Sequence, residues 1–341
     1  MRYFYLSYIV TIVGMILAYW WAGVDGLIIA GLLTIMEVSL SFDNAVVNAT
    51  VLKTMSEKWQ RRFLTWGILI AVFGMRLVFP VVIVAFATGL SMLDVSHLAL
   101  DQPDEYSRHV LASHIQIAAF GGMFLLMVFL KFVCNEGKDL HWIGFIEHKL
   151  AALGKLESAE VIVALTVLLI AQSFLPEEAR GGALIAGTVG VVLYVVTTSL
   201  TALFAGGAES GGAGAEAAVK SVGYSGLMGF IYLQFLDASF SLDGVIGAFA
   251  ISKDVIIIMI GLGVGAMFVR SLTVYMVRKG TLDDYIYLEH GAHWGIGALA
   301  AIMLTSMVHH VPEVITGLIG VSFILLSLVS SVRHNRAQQK H

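Results

Sequence analysis

Apolar runs of roughly 18 to 27 residues follow one another from Tyr3 to Val332. A run of that length has one common solution, a helix crossing a bilayer, which needs about 20 apolar residues. No water reaches the hydrocarbon layer, so each backbone N–H and C=O must be satisfied within its own segment, and helices are the expected elements throughout. Ten spans are predicted, at 3–22, 26–52, 63–89, 113–134, 159–175, 181–205, 223–251, 255–277, 291–308 and 313–332. The first resembles a signal peptide only in its leading Arg2. It ends in Tyr19, Trp20 and Trp21, which suit a membrane interface rather than a cleavage site, so it reads as a retained helix.

With 58% apolar and only 13% charged residues, nothing is left over for a soluble domain. The net charge of −4 says little in such a chain, and a nucleic-acid partner is not suggested. The single cysteine, Cys134, excludes an intramolecular disulfide framework, a CxxC redox pair and a thiolate cage. Any metal site must use oxygen or imidazole. Orientation follows from Lys and Arg. With the N-terminus inside, fifteen of them, including Lys53, Lys58, Arg61 and Arg62, fall on the cytoplasmic side, and only Arg108, Arg180 and Lys253 outside. That bias predicts a multi-pass protein with both termini cytoplasmic.

Three connections stand out. Residues 91–112 carry Asp94, His97, Asp101, Asp104, Glu105 and His109, and read as a solvated external loop, with cation gathering as the alternative. Residues 135–158 mix Trp142, Phe145 and Leu150 with Lys and Glu, as an interfacial helix does. The Gly-Ala-Ser stretch 206–218 reads as a flexible linker.

The chain repeats itself at an offset of 200. Gly26, Leu33, Ser39, Ser41, Asp43 and Lys53 recur as Gly226, Leu233, Ser239, Ser241, Asp243 and Lys253, and Glu37 faces Asp237. Gly67 and Arg76 share a nine-residue spacing with Gly261 and Arg270. Weaker matches pair His114 with His293 and Glu160 with Glu313. Two five-helix units are therefore expected, 1–178 and 179–341. Five is odd, so the second unit enters the membrane inverted, as in many secondary transporters with a midplane site. The predicted fold class is an all-α polytopic membrane protein.

The two motifs read Glu37-Val-Ser-Leu-Ser-Phe-Asp43-Asn44 and Asp237-Ala-Ser-Phe-Ser-Leu-Asp243-Gly244. A charge at the bilayer centre costs at least ~2.5 kcal/mol, so four acids with Arg76 and Arg270 demand a compensating role. One role is structural, the acids pairing with the arginines to hold helices together. The other is a metal site of Glu37, Asp43, Asn44, Asp237 and Asp243, supported by Ser39, Ser41, Ser239, Ser241, Arg76 and Arg270. Positions i and i+6 are about 240° apart on a regular helix, which predicts breaks near Asp43-Asn44 and Asp243-Gly244 that would add carbonyl ligands. An all-oxygen shell suits Mg²⁺, Ca²⁺ or Mn²⁺ and does not select Zn²⁺ or Cu⁺.

These motifs resemble the TerC family, in the branch related to bacterial manganese exporters, whose forms are E-x-x-L-S-x-D-N and D-x-x-F-S-x-D-S-(I/V)-P-A. Arg270-Ser-Leu is also similar to the family's following helix. Gly244-Val-Ile-Gly247 departs from Ser-(I/V)-Pro-Ala. The resemblance implies a divalent metal exporter in a bacterial inner membrane, with Mn²⁺ the leading transported substrate; Ca²⁺, which the oxygen shell also suits, comes second. It implies neither enzyme activity nor a resident cofactor. No nucleotide-binding motif is present, so H⁺ or Na⁺ would be the coupling ion. The alternatives are a membrane assembly or partner protein for a metal system and, further off, an intramembrane hydrolase, for which HExxH, GxSxG and GxGD patterns are all missing.

Overall fold

A computed structural model describes residues 3–338 except 68, 69, 71–73, 75, 77, 136, 139, 155–157, 207–225, 281–283 and 310. Most of the 206–218 linker therefore lies outside the described residues. Every element among those described is a helix. In chain order they are α1 (Tyr5–Leu40), α2 (Phe42–Thr54), α3 (Glu57–Arg62), a π-helical turn (Phe63–Gly67), α4 (Phe79–Thr88), α5 (Met92–Asp101) and α6 (Pro103–Ala112). Then come α7 (His114–Val133), α8 (Gly144–Leu153), α9 (Ala159–Ser173), α10 (Glu177–Gly206), α11 (Leu227–Ile251), α12 (Val255–Lys279), α13 (Leu288–Ser306) and α14 (Glu313–Gln338). Among the described residues five helices, including α7, α12 and most of α14, are long and apolar enough to cross a membrane.

The longest, α1, is not one span. Ala22 (φ −133°, ψ 20°) and Gly23 (φ 65°, ψ −148°) leave helical geometry, and the positive φ needs a residue without Cβ. The chain folds back there. Before the turn, Ser7 Oγ donates to Met267 O at 2.8 Å, and Gly14 lies against Ile260 and Val264. After it, Gly26 lies against Ile257, Thr34 Oγ1 donates to Gly261 O at 3.0 Å, and Glu37 reaches Gly265. Residues 5–21 thus run antiparallel to α12 and residues 24–40 parallel to it.

Close approach of residues 24–40 to α12 depends on Gly261. A Cβ there would sit 2.6 Å from Leu33 Cβ and 2.9 Å from Ala30 O. Gly261→Val is therefore expected to push the two helices apart and destabilise by about 1–3 kcal/mol, as overpacking does. Thermal unfolding in micelles checks it, and an unchanged midpoint would contradict this contact.

The sequence expectation fails at 91–112, which is helical and partly buried. Ser91 caps α5, its Oγ accepting the Asp94 N–H at 3.2 Å, and Pro103 starts α6. Val95, Ala99, Tyr106 and Val110 join Val84, Val245, Ala248 and Phe249 in one apolar cluster, while Asp94, Asp101 and Asp104 stay exposed. The acidic count hid an amphipathic pattern, one apolar face on each short helix. Asp104 accepts from Lys253 Nζ at 2.6 Å, and this hydrogen bond and charge hold its carboxyl below the ordinary value.

Residues 135–158 do contain a helix, α8. Its Glu147 is 0% exposed and meets Trp294 Nε1 at 3.0 Å, Lys138 Nζ at 3.1 Å, and the Trp142 and Ile143 backbone N–H groups at 3.3 Å each. These contacts tie the segment to α13.

The inner segments pair off. On α11, Phe230 packs edge-on to Phe63 at 6.3 Å, and Gly67 leaves room for Gln234. Helices α7 and α13 run antiparallel, since His114 meets Ser306 at one end and Phe132 stacks on His293 at the other. The outer helices do not follow this pairing. Residues 5–21 cover α12, whereas α10 presents Gly187 and Gly190 to α7 and α9.

Candidate metal centre

Residues 24–54 cross α11 in opposite directions, Glu37 lying beside Gly244 and Asn44 beside Asp237. Their C-terminal ends, Lys53 and Lys253, consequently lie at opposite ends of the bundle. At the crossing is a small cavity of about 40 Å³, lined by both motifs, by Phe63, Gly67 and Arg76, and by Val269, Arg270 and Thr273.

The first motif supplies most of the polar wall. The helix bends at Ser41 (φ −102°, ψ 15°), between α1 and α2. This falls two residues before the expected break at Asp43-Asn44. Ser41 Oγ donates to Glu37 Oε1 at 2.9 Å, and Arg76 Nη2 donates to the same oxygen. From α2, Asn44 Nδ2 donates to Asp237 Oδ1 at 2.6 Å and Asn48 Nδ2 reaches it at 3.4 Å. Both amides spend their N–H groups on Asp237. Their Oδ1 atoms are buried and accept no hydrogen bond.

The second motif contains no break, since α11 runs continuously from Leu227 to Ile251. Gly244 serves proximity instead. Glu37 Oε2 stands 3.1 Å from where a Cβ would project, so a larger residue would press on the carboxylate. An intact helix satisfies its own backbone, and a break in apolar surroundings needs other partners.

Of the predicted ligands, Glu37, Asn44 and Asp237 come together with Ser41, Arg76 and Arg270. Asp43 does not join them. It is buried on the other side of α2, its Oδ2 facing Gly295 of α13 and Gly320 of α14, and Oδ1 accepts the Asn44 N–H at 2.9 Å. The Asp243 side chain lies outside what is described. Ser39 Oγ is exposed and bonds Ile35 O, Ser239 Oγ bonds Phe235 O, and Ser241 is buried. Among the described residues no three His, Cys, Asp or Glu side chains are grouped as a metal cage, so amide and hydroxyl oxygens must complete any shell.

The predicted ligand set did not include Asn48, which ends the first polar segment, or Thr273. Asn48 is four residues after Asn44, on the same helical face, and Thr273 is three after Arg270. Polar residues at those spacings were the available signal. With two carboxylates and two guanidiniums, the charged side chains lining the cavity balance.

The model of the family described as "Protein of unknown function (DUF475)" matches residues 42–338. No curated protein and no solved structure matches the chain.

Proposed function

The chain belongs to the DUF475 family, whose function is unknown, and from that premise we propose that it is a secondary transporter of a divalent cation. Mn²⁺ leads, as the TerC resemblance implies, and Ca²⁺ follows on the oxygen-donor set, with export by alternating access around the central cavity.

One observation carries this reading: the buried, unaccepting Oδ1 atoms of Asn44 and Asn48 line the same cavity as the carboxylates of Glu37 and Asp237. An unpaired buried acceptor costs about 1–3 kcal/mol. A hard cation would relieve two of them and gain carboxylate and hydroxyl oxygens from Asp237, Ser41 and Thr273. That donor set suits an oxygen-seeking dication.

The two motifs act as the centre of two inverted units, 1–178 and 179–341. The antiparallel crossing of residues 24–54 with α11 supports this, as do the pairings of Leu33 with Gly261 and of Gln234 with Gly67. Transport is a rocking of these inner helices. The apolar cluster of Val95, Tyr106, Val245 and Phe249 closes the end beside Lys253, and the cavity continues from Glu37 toward Phe63 and Thr273 at the opposite, cytoplasmic end. H⁺ or Na⁺ supplies the driving force, both termini are cytoplasmic, and the location is a bacterial inner membrane.

Flux into liposomes by purified protein tests the function. Mn²⁺ is expected to cross and to raise the unfolding temperature, with Zn²⁺ showing no advantage. Absence of both effects for Mn²⁺, Ca²⁺ and Mg²⁺ would sink the reading. Topology has its own check: cysteines placed at Glu57 and at Ser252 are expected to be labelled from opposite sides of the membrane, and labelling from one side would contradict the inversion.

A further inference from the structure

We propose that Arg76 is a tethered counter-cation, whose guanidinium neutralises Glu37 in the empty carrier and is displaced when the transported dication binds. The proposal rests on the cation-transport reading above.

Glu37 and Arg76 are among the least exposed charged side chains described, at 2% and 4%. A lone carboxylate in that environment would be several kcal/mol less favourable than in water, so Glu37 needs a cation beside it in every state of the cycle. In this structure the cation is Arg76, which shares Glu37 Oε1 with the Ser41 hydroxyl. Its guanidinium also lies within electrostatic reach of Asp237. A guanidinium so placed competes directly with a dication for the two carboxylates of the cavity. The amide oxygens of Asn44 and Asn48 lie on the same wall and, among the described residues, accept no hydrogen bond. They are ready for a metal while the carboxylates are not.

The backbone carrying Arg76 fits such a movement. Phe63–Gly67 forms a π-helical turn, and Arg76 itself has π-type winding. A π-turn returning to α geometry shifts later residues by one position, about 100° around the axis, enough to turn a side chain off a site. Arg270, the repeat-related arginine, stands on the regular helix α12. The exchange makes Glu37 paired both empty and loaded, which an unloaded carrier needs to reset through a dry midplane.

A clamp that merely holds helices together gives the opposite sign in one measurement. If Arg76 competes with the cation, Arg76→Gln binds it more tightly. If Arg76 is only a clamp, the same change weakens binding or leaves it alone.

The experiment is calorimetric titration of the full chain in micelles with MnCl₂. Arg76→Gln is expected to bind at least about tenfold more tightly than wild type, and Arg76→Lys, which keeps the charge, within about threefold of it. Liposome flux through Arg76→Gln should fall despite the tighter binding, because the empty site no longer neutralises itself. Should Arg76→Gln fail to fold, phenylglyoxal modification of Arg76 in the wild type, read by mass spectrometry, is expected to rise several-fold on Mn²⁺ saturation. Equal or weaker binding by Arg76→Gln overturns the proposal, as does modification that Mn²⁺ leaves unchanged. No Mn²⁺ binding by wild type, Arg76→Lys or Arg76→Gln would instead remove the cation reading itself, and this inference with it.

Discussion

Asp237→Asn is expected to weaken Mn²⁺ binding by at least about a hundredfold, which corresponds to some 2.7 kcal/mol, and to abolish flux. The loss combines two effects. A carboxylate ligand becomes a neutral amide, and the Asn44 and Asn48 N–H groups that converge on Asp237 Oδ1 lose their charged acceptor. Either amide can then turn, taking its Oδ1 away from the cavity wall. The side chain keeps its size, so the fold should survive, and titration beside a thermal melt separates the two outcomes. Asp101→Asn is the control, since Asp101 is exposed at the end of α5, far in role from the cavity, and should bind like wild type. Wild-type binding by Asp237→Asn would mean that the cation is held elsewhere.

The largest effect on stability is expected at Glu147→Gln, at about 3 kcal/mol, the size seen when one member of a buried ion pair is removed. The change strands Lys138, 3.1 Å away, and leaves His290, 3.7 Å away, without its acidic neighbour. It should also be pH-dependent. Burial alone would push the Glu147 carboxyl up, but the Trp294 hydrogen bond and the charge and hydrogen bond of Lys138 outweigh it, with His290 adding to them once it protonates, and hold the group below its ordinary 4.5. A carboxyl depressed in the folded state contributes stability above 4.5, lost as the pH falls through its folded value. The difference between wild type and Glu147→Gln is therefore full at pH 7 and closes in more acidic solution. Unfolding in micelles at both pH values measures it, and a gap that persists in acid would mean that shape rather than charge is the cause.

Much of this architecture was legible in the sequence because the bilayer leaves few solutions. Long apolar runs must be helices, and the turn at Gly23 falls in the three-residue interval between the predicted spans 3–22 and 26–52. The repeat of acids and serines also marked the two segments that meet at the cavity, since polar groups in apolar spans stand out whatever their partners. The amphipathic helices α5 and α6 were missed for the converse reason. Their exposed acids dominate a count, whereas burial of Val95 and Tyr106 depends on α4 and α11, which no local pattern announces.

Direction around a helix was the part left to tertiary structure. Asp43 and Glu37 are six residues apart, and a bend was needed to bring them to one point. The bend at Ser41 does not do so, and Asp43 turns to the glycines of α13 and α14 while Asn44 and Asn48 turn to Asp237. Gly244 read as a helix breaker because glycine breaks helices in water. In α11 its small size admits Glu37 instead, a role set by a side chain two hundred residues away in the chain. By itself the sequence determined the apolar helices and the acids within them, because hydrophobicity and desolvation act on each segment alone. Which acids share a cavity, and which cations hold them, only the tertiary structure decided, because pairing energies depend on distances of a few ångströms between helices that the chain order does not contain.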